Sequence, residues 1–91
     1  MKMVMVIEMN KIVVNLYVPI LDQQYDIWIP ANKRIYNVIS LLVKAVGEFS
    51  GGYYKVPKLP SLYGKLTGKP YDINLSIKES DIRNGTELIM I

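Results

Sequence analysis

One helical stretch, set between stretches with strand periodicity, constrains the fold of this chain more than any other feature. Six apolar residues recur at the spacing of an amphipathic helix, namely Ile35, Val38, Ile39, Leu42, Val43 and Val46. Asn32 is a suitable N-cap before this stretch, and the run Ser50-Gly51-Gly52 ends it. Because the apolar stripe of a single helix must be covered by another layer, we expect the rest of the chain to form a sheet.

Two stretches before the helix alternate between apolar and polar residues. In Lys11 to Val18 one face carries Ile12, Val14, Leu16 and Val18. Gln24 to Ile29 alternates in the same way, and Pro30 follows it. The short connection through Pro19 predicts that the two stretches form a β-hairpin.

The last seventeen residues, Leu75 to Ile91, predict a closing strand. Asn84-Gly85 signals a turn, and the run from Thr86 to Ile91 is mostly branched and apolar. An exposed edge of this kind would promote aggregation, so we expect this strand to lie inside the sheet with Leu88 and Met90 under the helix. A short strand is expected over residues 61–66, and residues 71–74 are expected to contribute one or two bridge residues as a minimal fourth strand. The predicted fold is therefore α+β, a mixed sheet of order 2-1-5-3-4 with one main helix on one face.

Composition limits the chemistry that this chain can perform. Ninety-one residues with 51% hydrophobic and 21% charged side chains indicate a single globular domain rather than a disordered segment. Cys and His are both absent, which removes thiolate metal ligands and the commonest general base. The carboxylates lie mostly in predicted turns and form no obvious pair. We therefore predict no catalytic residues, no metal site, no cofactor and no enzymatic activity.

The net charge of +3 is modest, and the lysines are spread along the chain. Tyr53-Tyr54-Lys55 mixes aromatic and cationic residues, which leaves weak nucleic-acid binding as an alternative, although no nucleic-acid partner is expected. No apolar run approaches the roughly 20 residues of a membrane-spanning helix, and the first residues lack a cleavage site. The expected location is the cytoplasm. Residues 1–9 are either an N-terminal extension or a lengthening of the first strand.

Alternation also predicts an apolar outer face of the sheet, on the side away from the helix. Its predicted members are Val13, Tyr17, Trp28, Tyr63, Ile89 and Ile91. A contiguous exposed apolar patch is typical of a partner-binding surface, and Trp and Tyr are common at interface hot spots. Cross-strand packing that only stabilises the sheet is the alternative, and in that case residues 1–8 can fold over this face.

The order of elements and several short sequences resemble a known family. Ile35 to Leu42 is similar to the helix of ubiquitin, and SIKESDIRNGTELIMI is similar to its C-terminal part. NKIVVNLYVP, YDIWIP, GGYY and DIRNGTELIMI resemble the small bacterial ubiquitin-like proteins of the YukD type. The resemblance covers residues 10–91 and implies a ubiquitin-like β-grasp domain.

This resemblance also implies a role. YukD-like proteins are associated with type VII (WXG-type) secretion, which implies an accessory, non-catalytic interaction module with a protein partner, such as a membrane-associated secretion component. A homodimer through the outer face or through residues 1–8 is a further possibility. Conjugated relatives end in Gly-Gly, whereas the only such pair here is the internal Gly51-Gly52. Conjugation is therefore not expected, and a modifier or sulfur carrier formed by processing is the alternative.

Overall fold

The computed structural model describes residues 10–91 of the chain, so both interpretations of residues 1–9 lie outside the described residues. The elements in chain order are β1 (Lys11–Val18), β2 (Gln23–Pro30), α1 (Ile35–Phe49), β3 (Leu62–Gly64) and β4 (Glu87–Met90). The strands form one mixed sheet of order β2-β1-β4-β3. β1 is antiparallel to β2 and parallel to β4, and β3 is antiparallel to β4.

The closing strand lies in the interior of the sheet, as predicted. Leu88 of β4 is opposite Leu16 of β1 on one side and opposite Gly64 of β3 on the other. Leu88 and Met90 are both buried. The aliphatic composition of β4 therefore follows from its two neighbouring strands and the helix that covers it.

The predicted order 2-1-5-3-4 differs from the observed order by one strand. The segment expected to form the fourth strand contributes only an isolated bridge between Tyr63 and Pro70. Pro70 has no N–H to donate, and the Asn74 N–H bonds instead to Asp72 Oδ1 at 3.0 Å. The chain therefore turns after Tyr71 rather than continuing along the edge of β3.

The start of α1 corrects the prediction that Asn32 caps it. Arg34 occupies the N-cap position and makes no side-chain capping bond. The first two helical N–H groups donate to the tail of the chain instead, from Ile35 to the Leu75 carbonyl at 2.8 Å and from Tyr36 to the Ile73 carbonyl at 3.1 Å. Carbonyl groups from a distant segment thus supply what a capping side chain normally provides.

The end of α1 follows the prediction from its glycines. The Gly52 N–H donates to the Gly47 carbonyl at 2.8 Å, and the Gly51 N–H donates to the Glu48 carbonyl at 3.1 Å. Gly51 has φ of 68° and Gly52 has φ of 90°. These two bonds and the positive φ of Gly51 define a Schellman motif, which favours glycine at that position.

The hydrophobic core lies between α1 and the inner face of the sheet. Every helix residue of the predicted stripe is buried except Val43, which is half-buried. Ile77 and Ile82 from the tail are buried too. The core residues are Val14, Leu16, Val18, Ile29, Ala31, Ile35, Val38, Ile39, Leu42, Val46, Tyr54, Leu62, Ile77, Ile82, Leu88 and Met90. Since this core occupies one face of the sheet, the opposite face is left to the alternate residues of each strand.

Candidate protein-interaction surface

Three of the predicted surface residues form a continuous line across the outer face of the sheet. Tyr17 of β1 is opposite Ile89 of β4, and Ile89 is opposite Tyr63 of β3. All three side chains are half-buried. Facing residues on neighbouring strands are close enough for their side chains to touch, so this set, here called the outer row, forms one apolar strip.

Ile91 extends the outer row at the end of β4. Its N–H and C=O exchange hydrogen bonds of 3.0 and 2.9 Å with the backbone of Ser61. Two residues after Ile89, it lies on the same face, and 69% of its surface is exposed. The structure therefore brings Tyr17, Ile89, Tyr63 and Ile91 together.

A second line of residues, here called the polar row, separates the outer row from the remaining predicted residues. Asn15 of β1 is opposite Asp26 on one side and Glu87 on the other. The Asn15 side-chain amide donates to Asp26 Oδ1 at 3.1 Å, and Lys65 Nζ lies 3.5 Å from Glu87 Oε2. The polar side chains are therefore paired, Asn15 with Asp26 and Glu87 with Lys65, and they interrupt the apolar surface of the outer face.

Val13 and Trp28 face each other beyond the polar row. The Val13 N–H donates to Asn84 Oδ1 at 2.8 Å, and its C=O accepts from the Gly85 N–H at 2.7 Å. Val13 is half-buried, whereas Trp28 is 66% exposed. Trp28 is therefore a separate apolar feature on the edge strand and is not continuous with the outer row.

The β1–β2 turn fixes the orientation of Tyr17 in the outer row. Its hydroxyl donates to Asp22 Oδ1 at 2.9 Å, and Asp22 adopts φ of 51° in the turn. This hydrogen bond, with lesser contributions from desolvation and the charge of Asp22, raises the pKa of Tyr17. A tethered tyrosine loses less side-chain entropy when a partner packs against it.

Sequence reasoning missed two features that lie outside the outer face. Tyr71 donates its hydroxyl to Asp81 Oδ1 at 2.8 Å. At the end of α1 the rings of Tyr25 and Phe49 have centroids 5.5 Å apart, and the exposed Tyr53 lines the same surface cavity. Both features join residues more than nine positions apart, and neither leaves a local sequence pattern.

The structure breaks up the aromatic and cationic cluster that suggested nucleic-acid binding. Tyr54 is buried in the core, and its N–H donates to Ser50 Oγ at 2.9 Å, so only Tyr53 of the tyrosine pair is exposed. Within residues 10–91 no group of three or more acidic, His or Cys side chains is arranged to hold a metal ion. No helix in that range is long and apolar enough to cross a membrane.

Comparison with solved structures identifies the architecture. The EccD5 ubiquitin-like domain from Mycobacterium xenopi superposes with a TM-score of 0.73 at 24% identity, over 89% of this chain and 92% of that one. The ubiquitin-like domain of the Mycobacterium tuberculosis type VII secretion protein EccD1 gives 0.70 at 14% identity, over 89% and 97%. This chain has a ubiquitin-like fold.

A third similar structure is a chain of the MycP5-free ESX-5 inner membrane complex. Its TM-score is 0.74 at 19% identity, over 90% of this chain and 21% of that one. No protein-family model matches the sequence, and no curated protein matches it. These similarities therefore show the fold alone, and the function has to be inferred from the surfaces of the domain.

Proposed function

We propose that this chain is a non-catalytic ubiquitin-like interaction module that serves as an accessory component of a type VII-like secretion system. The observation that supports this proposal most is the outer row on a fold similar to the EccD ubiquitin-like domains.

The outer row has the properties of a protein-binding strip. It combines two tyrosines with an isoleucine in a fixed register, and Ile91 adds further exposed apolar surface at its end. Aromatic side chains lose little entropy on binding and are common at hot spots. The polar row beside it resembles the hydrated rim of an interface. Val13 and Trp28 would contact the same partner only if it reached across the polar row.

The proposed partner is a protein of the secretion machine, associated with the membrane on its cytoplasmic side. Support comes from the similar chain in an inner membrane complex. The outer row could instead bind a second copy of this chain, or residues 1–8 could mediate a homodimer. Sedimentation equilibrium of the protein alone distinguishes a homodimer from binding to a different protein, because a homodimer would persist without any other component.

We also propose that the chain acts without conjugation. The backbone N–H and C=O of Ile91 both form hydrogen bonds with the backbone of Ser61, so the chain is still held against the sheet at this residue. An activating enzyme needs a flexible tail, and a modifier or sulfur carrier formed by processing remains the competing function. Intact-mass measurement on protein recovered from its native cell distinguishes them, since a C-terminal adduct would contradict our proposal.

The binding surface is tested by affinity capture from native cells under conditions that preserve weak complexes. Ile89→Thr combined with Ile91→Thr keeps β-branched side chains but removes apolar surface from the outer row. Ile20→Thr combined with Ile73→Thr makes the same substitutions at exposed isoleucines elsewhere. We expect the first pair to lose secretion components and the control pair to retain them. Equal recovery with a folded outer-row variant would refute the assignment.

A further inference from the structure

The strand β2 forms a long open edge of the sheet. In the order β2-β1-β4-β3 it has β1 on one side and no neighbouring strand within residues 10–91 on the other. It is an eight-residue strand, whereas the opposite edge strand β3 has three residues. An open edge exposes backbone donors and acceptors that can pair with another strand.

Hydrogen bonding on β1 determines which backbone groups of β2 point outward. The Asn15 N–H donates to the Thr86 carbonyl, and the Val13 C=O accepts from the Gly85 N–H, so Val13 and Asn15 direct these groups toward β4. Backbone groups alternate in direction along a strand, so Val14 and Leu16 point toward β2.

The pairing register between β1 and β2 shows which backbone groups of β2 face β1. Val14 is opposite Ile27, and Leu16 is opposite Tyr25, so Ile27 and Tyr25 bond to β1. The N–H and C=O groups of the intervening residues therefore point away from the sheet. Those intervening residues are Gln24, Asp26 and Trp28.

Side chains along this edge differ between the two faces of the sheet. On the outer face Asp26 and Trp28 are exposed, two residues apart on the same side. On the inner face Tyr25 and Ile27 are half-buried and pack against the edge of the core. An added strand would place alternate side chains beside a carboxylate and an indole on one face and beside apolar groups on the other.

The negative charge of Asp26 favours a basic segment over a second copy of β2 as the strand that pairs with this edge. Asp26 accepts from Asn15 through Oδ1, and its Oδ2 has no partner within residues 10–91. A second copy of β2 is a poor match, because the sequence QQYDIWIP contains no cation. Antiparallel self-pairing centred on Asp26 would also place the two carboxylates opposite each other, which is destabilising.

We propose that the β2 edge is a peptide-binding site, distinct from the outer row, for an extended segment that carries a Lys or Arg between apolar residues. The segment adds to the sheet as a further strand and bonds to the outward backbone groups of Gln24, Asp26 and Trp28. Its basic side chain lies on the outer face, where it pairs with Asp26 and stacks on the indole of Trp28. Its flanking apolar side chains lie beside Tyr25 and Ile27.

The test is an NMR titration of the ¹⁵N-labelled full chain with a blocked peptide of alternating valine and lysine. A peptide of alternating valine and glutamate is the matched control. We expect the lysine peptide alone to shift the amide signals of Gln24, Asp26 and Trp28 and to protect them from hydrogen exchange. Shifts confined to the outer row, or equal binding of both peptides, would overturn the proposal.

Three variants separate edge pairing from general charge attraction. Asp26→Lys should weaken binding of the lysine peptide by about fivefold, because the exposed ion pair is replaced by repulsion between like charges while the indole of Trp28 is unchanged. Glu48→Lys changes the net charge equally on the exposed side of α1 and should leave binding intact. Gln24→Pro removes an N–H that points to solvent, so the sheet should persist while the peptide fails to pair.

The outcomes also distinguish this proposal from the one about the outer row. Unchanged binding to Gln24→Pro, or a loss with Glu48→Lys equal to that with Asp26→Lys, would exclude strand addition at β2. A dimer of the free protein that Gln24→Pro dissociates would show that the occupant is a second copy instead. None of these variants alters Tyr17, Ile89 or Tyr63, so capture through the outer row should survive each of them.

Discussion

The hydroxyl of Tyr71 donates a 2.8 Å hydrogen bond to Asp81 and joins the segment after β3 to the turn that leads into β4. Gly64 lies beside this pair, because a Cβ at Gly64 would be 3.1 Å from the Tyr71 hydroxyl. The contact therefore connects three segments at one edge of the sheet, and its strength can be measured by mutation.

Tyr71→Phe removes the hydroxyl and keeps the ring. We expect the free energy of unfolding to fall by about 1 to 2 kcal/mol at neutral pH, because a hydrogen bond to a charged group is lost. Urea denaturation followed by fluorescence of Trp28 measures the change. Tyr53→Phe is the control, since Tyr53 is 87% exposed and makes no side-chain hydrogen bond within residues 10–91.

The same pair predicts a loss of stability in alkaline solution. Desolvation first, and then the hydrogen bond and charge of Asp81, raise the pKa of Tyr71 to about 12. In the unfolded chain the Tyr71 hydroxyl ionises near its ordinary pKa of about 10. The contribution of Tyr71 to the free energy of unfolding is therefore complete below about pH 10 and is lost as the pH rises toward about 12. Urea midpoints measured across this range should fall less for Tyr71→Phe than for the unmodified protein. Parallel decreases would contradict the assignment.

Gly64→Ala should destabilise the protein by about 1 to 2 kcal/mol through crowding. The new methyl group would lie 2.9 Å from Thr67 Oγ1 as well as 3.1 Å from the Tyr71 hydroxyl. Since Tyr71→Phe removes one of these atoms, the double substitution should cost less than the sum of the single ones. Strict additivity in a double-mutant cycle would show that the methyl group displaces Thr67 alone.

Gly51→Ala and Gly47→Ala should change stability in opposite directions. Gly51 has φ of 68°, where a Cβ costs about 1 to 2 kcal/mol. Gly47 lies within α1, and a Cβ there would meet the Tyr54 carbonyl oxygen at an ordinary 3.5 Å. Alanine at position 47 should therefore stabilise the helix by about 0.5 to 1 kcal/mol. Thermal denaturation of both variants, compared with the unmodified protein, checks the two signs.

Leu88→Ala should lower the free energy of unfolding by about 2 to 5 kcal/mol. Leu88 is buried between two neighbouring strands on the inner face of the sheet, where the structure cannot easily close around a cavity. Leu66→Ala is the matched control, because Leu66 is 93% exposed and its loss should change stability by less than about 0.5 kcal/mol. Chemical denaturation of the two variants gives the comparison.

Much of the architecture follows from local patterns in the sequence. The alternation in Lys11 to Val18 predicts the observed bounds of β1, and the helical spacing from Ile35 predicts the buried stripe. The apolar character of the closing strand predicts its interior position, with Leu88 and Met90 under the helix. These features are predictable because each strand or helix shows its buried face in its own periodicity.

The remaining features depend on contacts between distant segments, which periodicity does not encode. Asn32 has the chemistry of an N-cap, yet the carbonyls of Ile73 and Leu75 bind the first helical N–H groups. Alternation placed Trp28 on the outer face correctly, but it could not show that Asp26, Asn15 and Glu87 align into a row that separates Trp28 from Tyr17 and its neighbours. The register between strands decides that arrangement, and single strands do not reveal it.

The start of α1 has a consequence for the order in which the chain folds. Its first turn is held by carbonyls of Ile73 and Leu75, about half the chain length away. A fragment that ends soon after Gly52 would therefore lack the acceptors for Ile35 and Tyr36 and would fray at its N-terminal turn. The Asn37 and Val38 N–H groups bond locally to the Arg34 carbonyl, whereas those of Ile35 and Tyr36 gain protein acceptors only when a long loop closes. We therefore expect the amides of Ile35 and Tyr36 to become protected from hydrogen exchange together with the segment that contains Ile73 and Leu75.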